Sequence, residues 1–137
     1  MAKTFKMKIL TLGKIVMDNE VEKVFISSAS GKVEVLANHA ASIFSTIPSI
    51  TKIIDAEGNE QVLFTSKGVM NIKNNEVTLC CDSAEYKNDI DLQRAEKSKE
   101  RAERRINAQE KYNLDRAKEA LLRAELRIKI VNDKWWK

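Results

Sequence analysis

The apolar period changes once along the chain. From Phe5 to Leu79 apolar residues alternate with polar ones or fall in short runs, and beyond Asp89 they recur every three or four positions. Phe5, Met7 and Ile9 are separated by Lys6 and Lys8; Val33 and Val35 alternate with Lys32 and Glu34. A period of two puts one set of side chains on a core and the other in water, as in a half-buried strand. Short apolar runs recur at Ile15-Val16-Met17, Val24-Phe25-Ile26, Ile53-Ile54, Val62-Leu63-Phe64 and Val77-Thr78-Leu79. Ser30-Gly31, Gly58-Asn59 and Asn74-Asn75 separate them, the last suiting a two-residue turn with positive φ. Short strands divided by turns every ~8–12 residues predict an antiparallel sandwich or barrel. Asn38 to Ile47 is less regular and ends at Pro48, so a loop or distorted edge is expected there.

The later period predicts two helices. From Asp89 to Val131 there is neither Gly nor Pro, and Ala, Glu, Lys, Arg and Leu dominate. Leu114, Ala117, Leu121, Ala124, Ile128 and Val131 form one apolar stripe. Leu92, Ala95, Ala102 and Ile106 form a sparser one, interrupted by Lys99. The polar stretch Asn107 to Asn113 is the expected turn between two antiparallel helices, and Asp91 and Asp115 fall where a carboxylate meets the positive end of a helix. The predicted architecture is therefore an N-terminal antiparallel β-sandwich, residues 1–85, followed by a C-terminal two-helix hairpin, residues 86–137. Ala95, Ala102, Ala117 and Ala124 dominate the seam between the helices. A buried Leu contributes roughly 1.5–3 kcal/mol and an alanine methyl about 0.8 at most, so such a seam is marginal by itself. The hairpin is either a device that opens and re-docks or a permanently closed arm.

Charge sharpens this division. Lysines and carboxylates balance up to Ala84, and the entire excess of +4 lies beyond it. Arg94 and Arg101 stand seven apart on the first helix, and Arg123 and Arg127 four apart on the second, each pair on one face. Two such pairs could grip a polyphosphate, but spacing alone favours a solvated face balanced by Glu96, Glu100, Glu103, Glu119 and Glu125. A coiled-coil cochaperone and a basic nucleic-acid-binding module remain as other readings, although interleaved acids and scarce aromatics argue against nucleic acid. Nothing resembles a catalytic centre: His39 is the single histidine, the four glycines stand far apart, and no Cys/His pair has metal-ligand spacing. Adjacent Cys80 and Cys81 read as reduced, core-type residues of a cytoplasmic protein. Lys3, Lys6 and Lys8 are interleaved with apolar residues, so no secretory leader is expected. Trp135 and Trp136 are either a plug for a partner or a frayed tail.

Two stretches carry a resemblance. Gly31 followed by Val35-Leu36-Ala37-Asn38-His39-Ala40 is similar to a G-x-x-G-V-L-P-N-H-A-P segment, with Glu34 in place of Gly and Ala37 and Ala41 in place of Pro. Asn75-Glu76-Val77-Thr78-Leu79, Ala84-Glu85 and Ile90-Asp91-Leu92-Gln93-Arg94-Ala95 resemble a last strand leading into an [IL]-D-x-x-R-A helix start. Leu114-Asp115, Ala117 and Arg123-Ala124-x-x-Arg127-Ile128 resemble the second helix of the same family, the epsilon subunits of F-type ATP synthases. The resemblance implies a non-catalytic rotor subunit bound to gamma and the c-ring, at the cytoplasmic face of a bacterial membrane and peripheral to it. The loop Asn38, His39 and Ala40 is then a rotor contact. The hairpin is then inhibitory, its Arg116, Lys118, Arg123, Arg127 and Lys129 meeting the β subunits of the α/β head. ATP, with any Mg that accompanies it, is implied as a regulatory ligand on Glu85, Ile90, Asp91, Arg94, Ala95, Arg101, Arg123 and Arg127; no other metal is expected.

Overall fold

The computed structural model describes residues 3–108 and 114–132. The chain divides into two compact units, Met1–Tyr86 and Lys87–Lys137.

The first unit contains β1 (Phe5–Thr11), β2 (Lys14–Ser28), β3 (Gly31–Leu36), β4 (Ser42–Thr46), β5 (Ser49–Asp55), β6 (Glu60–Thr65), β7 (Gly68–Lys73), β8 (Glu76–Cys81) and β9 (Ala84–Tyr86). The long β2 makes the sandwich possible. Its first half pairs with β1, and its second half with β3, β4 and β5, so one strand serves both layers. Hydrogen bonding runs β1-β8-β7-β4-β2, and β2 returns to β1, so these strands leave no open edge between them. Every pairing is antiparallel except β1 with β8, which run side by side. Phe5, Met7 and Ile9 of β1 pack with Val24, Ile53, Met70 and Leu79 in one core.

Two expectations change here. Ser42 to Thr46, read as loop or distorted edge, is a strand paired along its full length with β7. Phe44 leans on the core and Ile43 faces out, but so short an alternation beside Pro48 is weak in sequence. Of the two cysteines only Cys81 is buried, because neighbours on a strand point to opposite faces; Cys80 is exposed. Burial, reinforced by nearby Asp82, pushes the Cys81 thiol up to about 11.

The second unit opens with a 3-10 turn, Lys87–Asp89, and continues as α1 (Leu92–Asn107) and α2 (Leu114–Val131). Asp91 caps α1: its side chain accepts from the Arg94 backbone N–H at 3.1 Å. Asp115 stands in the first turn of α2. The helices pack against one another, and α2 also touches the 3-10 turn. Ala95, Ala102, Ala117 and Ala124 are all at most 4% exposed, whereas Leu92, Ile106, Leu114, Leu121 and Ile128 are half-buried. The tightest part of the seam is therefore alanine. The residues expected at the hairpin turn beyond Ala108, and Trp135 and Trp136, lie outside the described residues.

Candidate functional site

Helical geometry sorts the hairpin's charges onto two sides of the alanine seam. On α1, Arg94, Ser98, Arg101 and Arg105 follow one another at spacings of four, three and four, a single stripe flanking Ala95 and Ala102. Glu96, Glu100 and Glu103 repeat the spacing on the opposite flank. On α2, Arg116, Ala120, Arg123 and Arg127 form one flank, and Lys118, Leu122, Glu125 and Lys129 the other. An open cleft of about 180 Å³ fixes which flanks meet: Ser98, Arg101 and Arg105 line it from α1, and Ala117 and Ala120 from α2. Arg101 and Arg105 line this cleft; Arg94 continues their stripe on α1, and Arg116, Arg123 and Arg127 share by helical spacing the flank of α2 that carries Ala120.

The charge along this flank is positive. Arg94 and Arg101 are exposed, Arg123 is half-buried, and none of the three is in an ion pair among the described residues. The Arg101 guanidinium donates to Ser98 Oγ at 3.4 Å, which holds it along the groove wall. Lining up like charges on one flank raises the energy of the empty arrangement, and an anion placed among them lowers it. Guanidinium groups suit phosphate, since each presents a planar fork of donors. The donor set therefore fits a polyphosphate; among the described residues no cluster of His, Cys, Asp or Glu could hold a metal ion.

The remaining residues named from sequence are distributed as follows. Ala95 is buried in the seam, so its part there is close packing. Ile90 is half-buried, and its N–H donates to the Lys87 carbonyl at 3.2 Å, joining the 3-10 turn to α1. The Asp91 carboxylate is engaged as the cap. Glu85 belongs to the first unit, in β9 opposite Phe64. The basic residues expected at the β subunits do not share one face: Arg116, Arg123 and Arg127 lie on the Ala120 flank of α2, and exposed Lys118 and Lys129 on the far flank. Ser98 and Arg105 line the cleft without having been singled out; the four-three-four spacing from Arg94 was the signal that finds them.

On the sandwich, Asn38, His39 and Ala40 form the loop between β3 and β4. Asn38 has φ 62°, in the left-handed region. The Ala40 carbonyl accepts from His39 Nδ1 at 2.7 Å and from Ser42 Oγ at 3.2 Å. A second feature lies on the outer face of the sheet. Ser45, Val69, Cys80, Leu10 and Ile15 are successive cross-strand partners on β4, β7, β8, β1 and β2. Within this row Val69 is 46% exposed; beside it Ile43 is 72% exposed, and Leu12 at the β1–β2 turn is 94% exposed. Such a contiguous apolar strip is unusual on a free surface.

Residues 4–87 match the family model of the ATP synthase delta/epsilon chain β-sandwich domain, and residues 88–132 that of its long α-helix domain. The chain belongs to the ATP synthase delta/epsilon family. Among similar proteins of that family, the ATP synthase epsilon chain of Clostridium botulinum is 46% identical over 130 residues, 95% of this chain and 97% of the relative. That of Clostridium novyi is 43% identical over 131 residues, 96% and 100% of the two chains. Among solved structures, a chain of the Euglena gracilis mitochondrial ATP synthase superposes with a TM-score of 0.79 at 18% identity. It covers 89% of this chain and 78% of its own. A chain of the central stalk and c-ring assembly of Tetrahymena thermophila mitochondrial ATP synthase gives 0.58 at 13% identity, covering 94% and 97%. At those identities the likeness is one of fold. The family accounts for the order of the elements, sandwich first and hairpin second.

Proposed function

We propose that this chain is the non-catalytic epsilon subunit of a bacterial ATP synthase central stalk, and that its hairpin inhibits ATP hydrolysis when ATP is scarce and is held closed when ATP binds it. The near full-length match to epsilon chains carries the first part. The sandwich docks on gamma through the apolar row around Val69 and Leu10, and meets the c-ring through Asn38, His39 and Ala40. The subunit is held peripherally at the cytoplasmic face of the membrane through these partners; no helix among the described residues is long and apolar enough to cross a bilayer.

One observation carries the regulatory part: Arg101 and Arg105 line a cleft beside a seam of four buried alanines, and helical spacing puts Arg116, Arg123 and Arg127 on the same flank of α2 as Ala120, which lines the cleft from the other side. The seam holds the closed hairpin weakly, and the mutual repulsion of Arg94, Arg101 and Arg123 opposes closure until an anion sits among them. ATP at a hundred times its dissociation constant stabilises the closed form by about 2.7 kcal/mol, enough to decide so balanced an equilibrium. When ATP is depleted the hairpin opens, and Arg116, Lys118, Arg123, Arg127 and Lys129 become available to acidic segments of the β subunits. Any Mg in this scheme arrives with the nucleotide.

Calorimetric titration of the full chain with ATP tests the reading. Saturable binding is expected, with at least a tenfold loss in Arg94→Ala and in Arg127→Ala, as for removal of a charge-assisted hydrogen bond. Equal affinity in the parent and both variants would remove the groove as the nucleotide site. Affinity capture from membranes tests the subunit assignment separately: α, β and gamma subunits are expected to come with the tagged chain.

A further inference from the structure

The Asn38–Ala40 loop lacks the two prolines that would preset its backbone, since Ala37 and Ala41 stand on either side. It is nevertheless tied down from outside. The Asn38 backbone N–H donates to Asn75 Oδ1 at 2.7 Å, across 37 residues of sequence. Asn75 Nδ2 donates to the Thr4 carbonyl at 3.0 Å, across 71 residues. The Asn75 carbonyl in turn accepts from the Lys6 N–H at 3.3 Å. One residue of the β7–β8 turn thus joins that turn, the entry to β1 and the loop after β3.

We infer that the Asn75 carboxamide is the positioning group of the Asn38–Ala40 loop, clipping it to the start of β1 so that it meets the rotor ring in one conformation. The contact half of this statement rests on the function proposed above; the clip itself rests on geometry. Position 75 makes three demands at once. Its φ is 60°, in the left-handed region that glycine and asparagine tolerate best. It must present an acceptor to Asn38 and a donor to Thr4. Asparagine meets all three; aspartate keeps the acceptor and loses the donor; glycine keeps the backbone and loses both. Among the described residues, the other side-chain hydrogen bonds of the loop are local. The Ala40 carbonyl can only accept, so His39 carries its proton on Nδ1 in that bond. Removing the carboxamide therefore frees the Asn38 end while leaving the Ala40 end braced.

The test compares Asn75→Gly and Asn75→Asp in the full chain. Amide hydrogen exchange by NMR is read at Asn38, with the core amide of Met7 as internal reference. Asn75→Gly is expected to speed exchange at Asn38 several-fold, up to about tenfold for the loss of one net hydrogen bond, with Met7 unchanged. Asn75→Asp is expected to retain protection at Asn38. Parent-like exchange in Asn75→Gly would overturn the clip. Reassembly with ATP synthase membranes stripped of this subunit is measured on the same variants. Weaker reassembly of Asn75→Gly with near-parent reassembly of Asn75→Asp supports the positioning role. Faster exchange with undiminished reassembly would overturn the contact role of the loop while leaving the clip in place.

Discussion

Gly68 shows how a single residue constrains this sandwich. It opens β7 opposite Cys81, and a Cβ added to it would lie 2.1 Å from the Cys80 carbonyl oxygen and 2.8 Å from the Cys81 Cα. Both neighbours are backbone atoms of a paired strand, so neither can move aside cheaply. Gly68→Ala is therefore expected to destabilise the chain by about 3 kcal/mol, the upper range for overpacking. Gly13 offers the contrast. Its φ is +76° and nothing lies within 4 Å of the added atom, so Gly13→Ala carries only the left-handed strain of about 1–2 kcal/mol. Urea midpoints at constant m-value give the order; a smaller effect at Gly68 than at Gly13 would show that the β7–β8 approach relaxes. The sequence does not distinguish the two, since each glycine simply follows or precedes a lysine at the edge of a strand. Close approach is a property of strands that are distant in sequence until they pair, and so is the reach of the Asn75 side chain to Asn38.

At the level of elements, legibility followed the range of the interaction. The helices of the hairpin were readable because their determinants lie within a few residues of one another: the three-four spacing of the apolar stripe that includes Ala117 and Ala124, and the carboxylate of Asp91 at the start of α1. The arginine flank was readable as two pairs, but not as one groove, because facing stripes depend on how antiparallel helices are rotated about their axes. The turn at Asn74-Asn75 was readable for the same local reason, with φ values of 53° and 60°. The parallel pairing of β1 with β8 was not, because it joins residues about seventy positions apart and leaves no local signature. Asp91 has two roles that substitution separates, a cap on α1 and a proposed contact with nucleotide. Asp91→Ala removes the cap and is expected to lower hairpin stability by about 1 kcal/mol, read as reduced helical protection in hydrogen exchange. Asp91→Asn keeps a capping oxygen, so its helix is expected to match the parent. If Asp91→Ala leaves exchange in α1 unchanged, the cap contributes nothing and the helix start is set by packing alone.

For the molecule as a whole, the outer face of the sandwich is divided into two zones, and the function proposed above assigns docking to one of them. Toward one end, Lys6 lies between Glu20 and Glu76, and Lys8 opposite Asp18. These opposite charges across strands fix register and remain well solvated. Toward the other end the same strands present Leu10, Ile15, Cys80 and Val69, with no charge among them, while exposed Ile43 stands at the boundary, in the row of Lys8 and Asp18. An exposed apolar zone bounded by charge is what a partner covers, and burying it contributes about 25 cal/mol per Å². Val69→Asp puts a carboxylate in the middle of that zone without touching the core, since Val69 is 46% exposed. Stability of the isolated chain is expected to change by no more than about 0.5 kcal/mol, the usual range for surface positions. Assembly with gamma is expected to fall tenfold or more, because the complex would bury an unpaired charge. Glu76→Gln, in the charged zone, serves as the control and is expected to assemble normally. Thermal unfolding together with titration of gamma onto each variant separates the outcomes. Full assembly of Val69→Asp would mean that gamma sits elsewhere on the sandwich and that the apolar zone belongs to another partner.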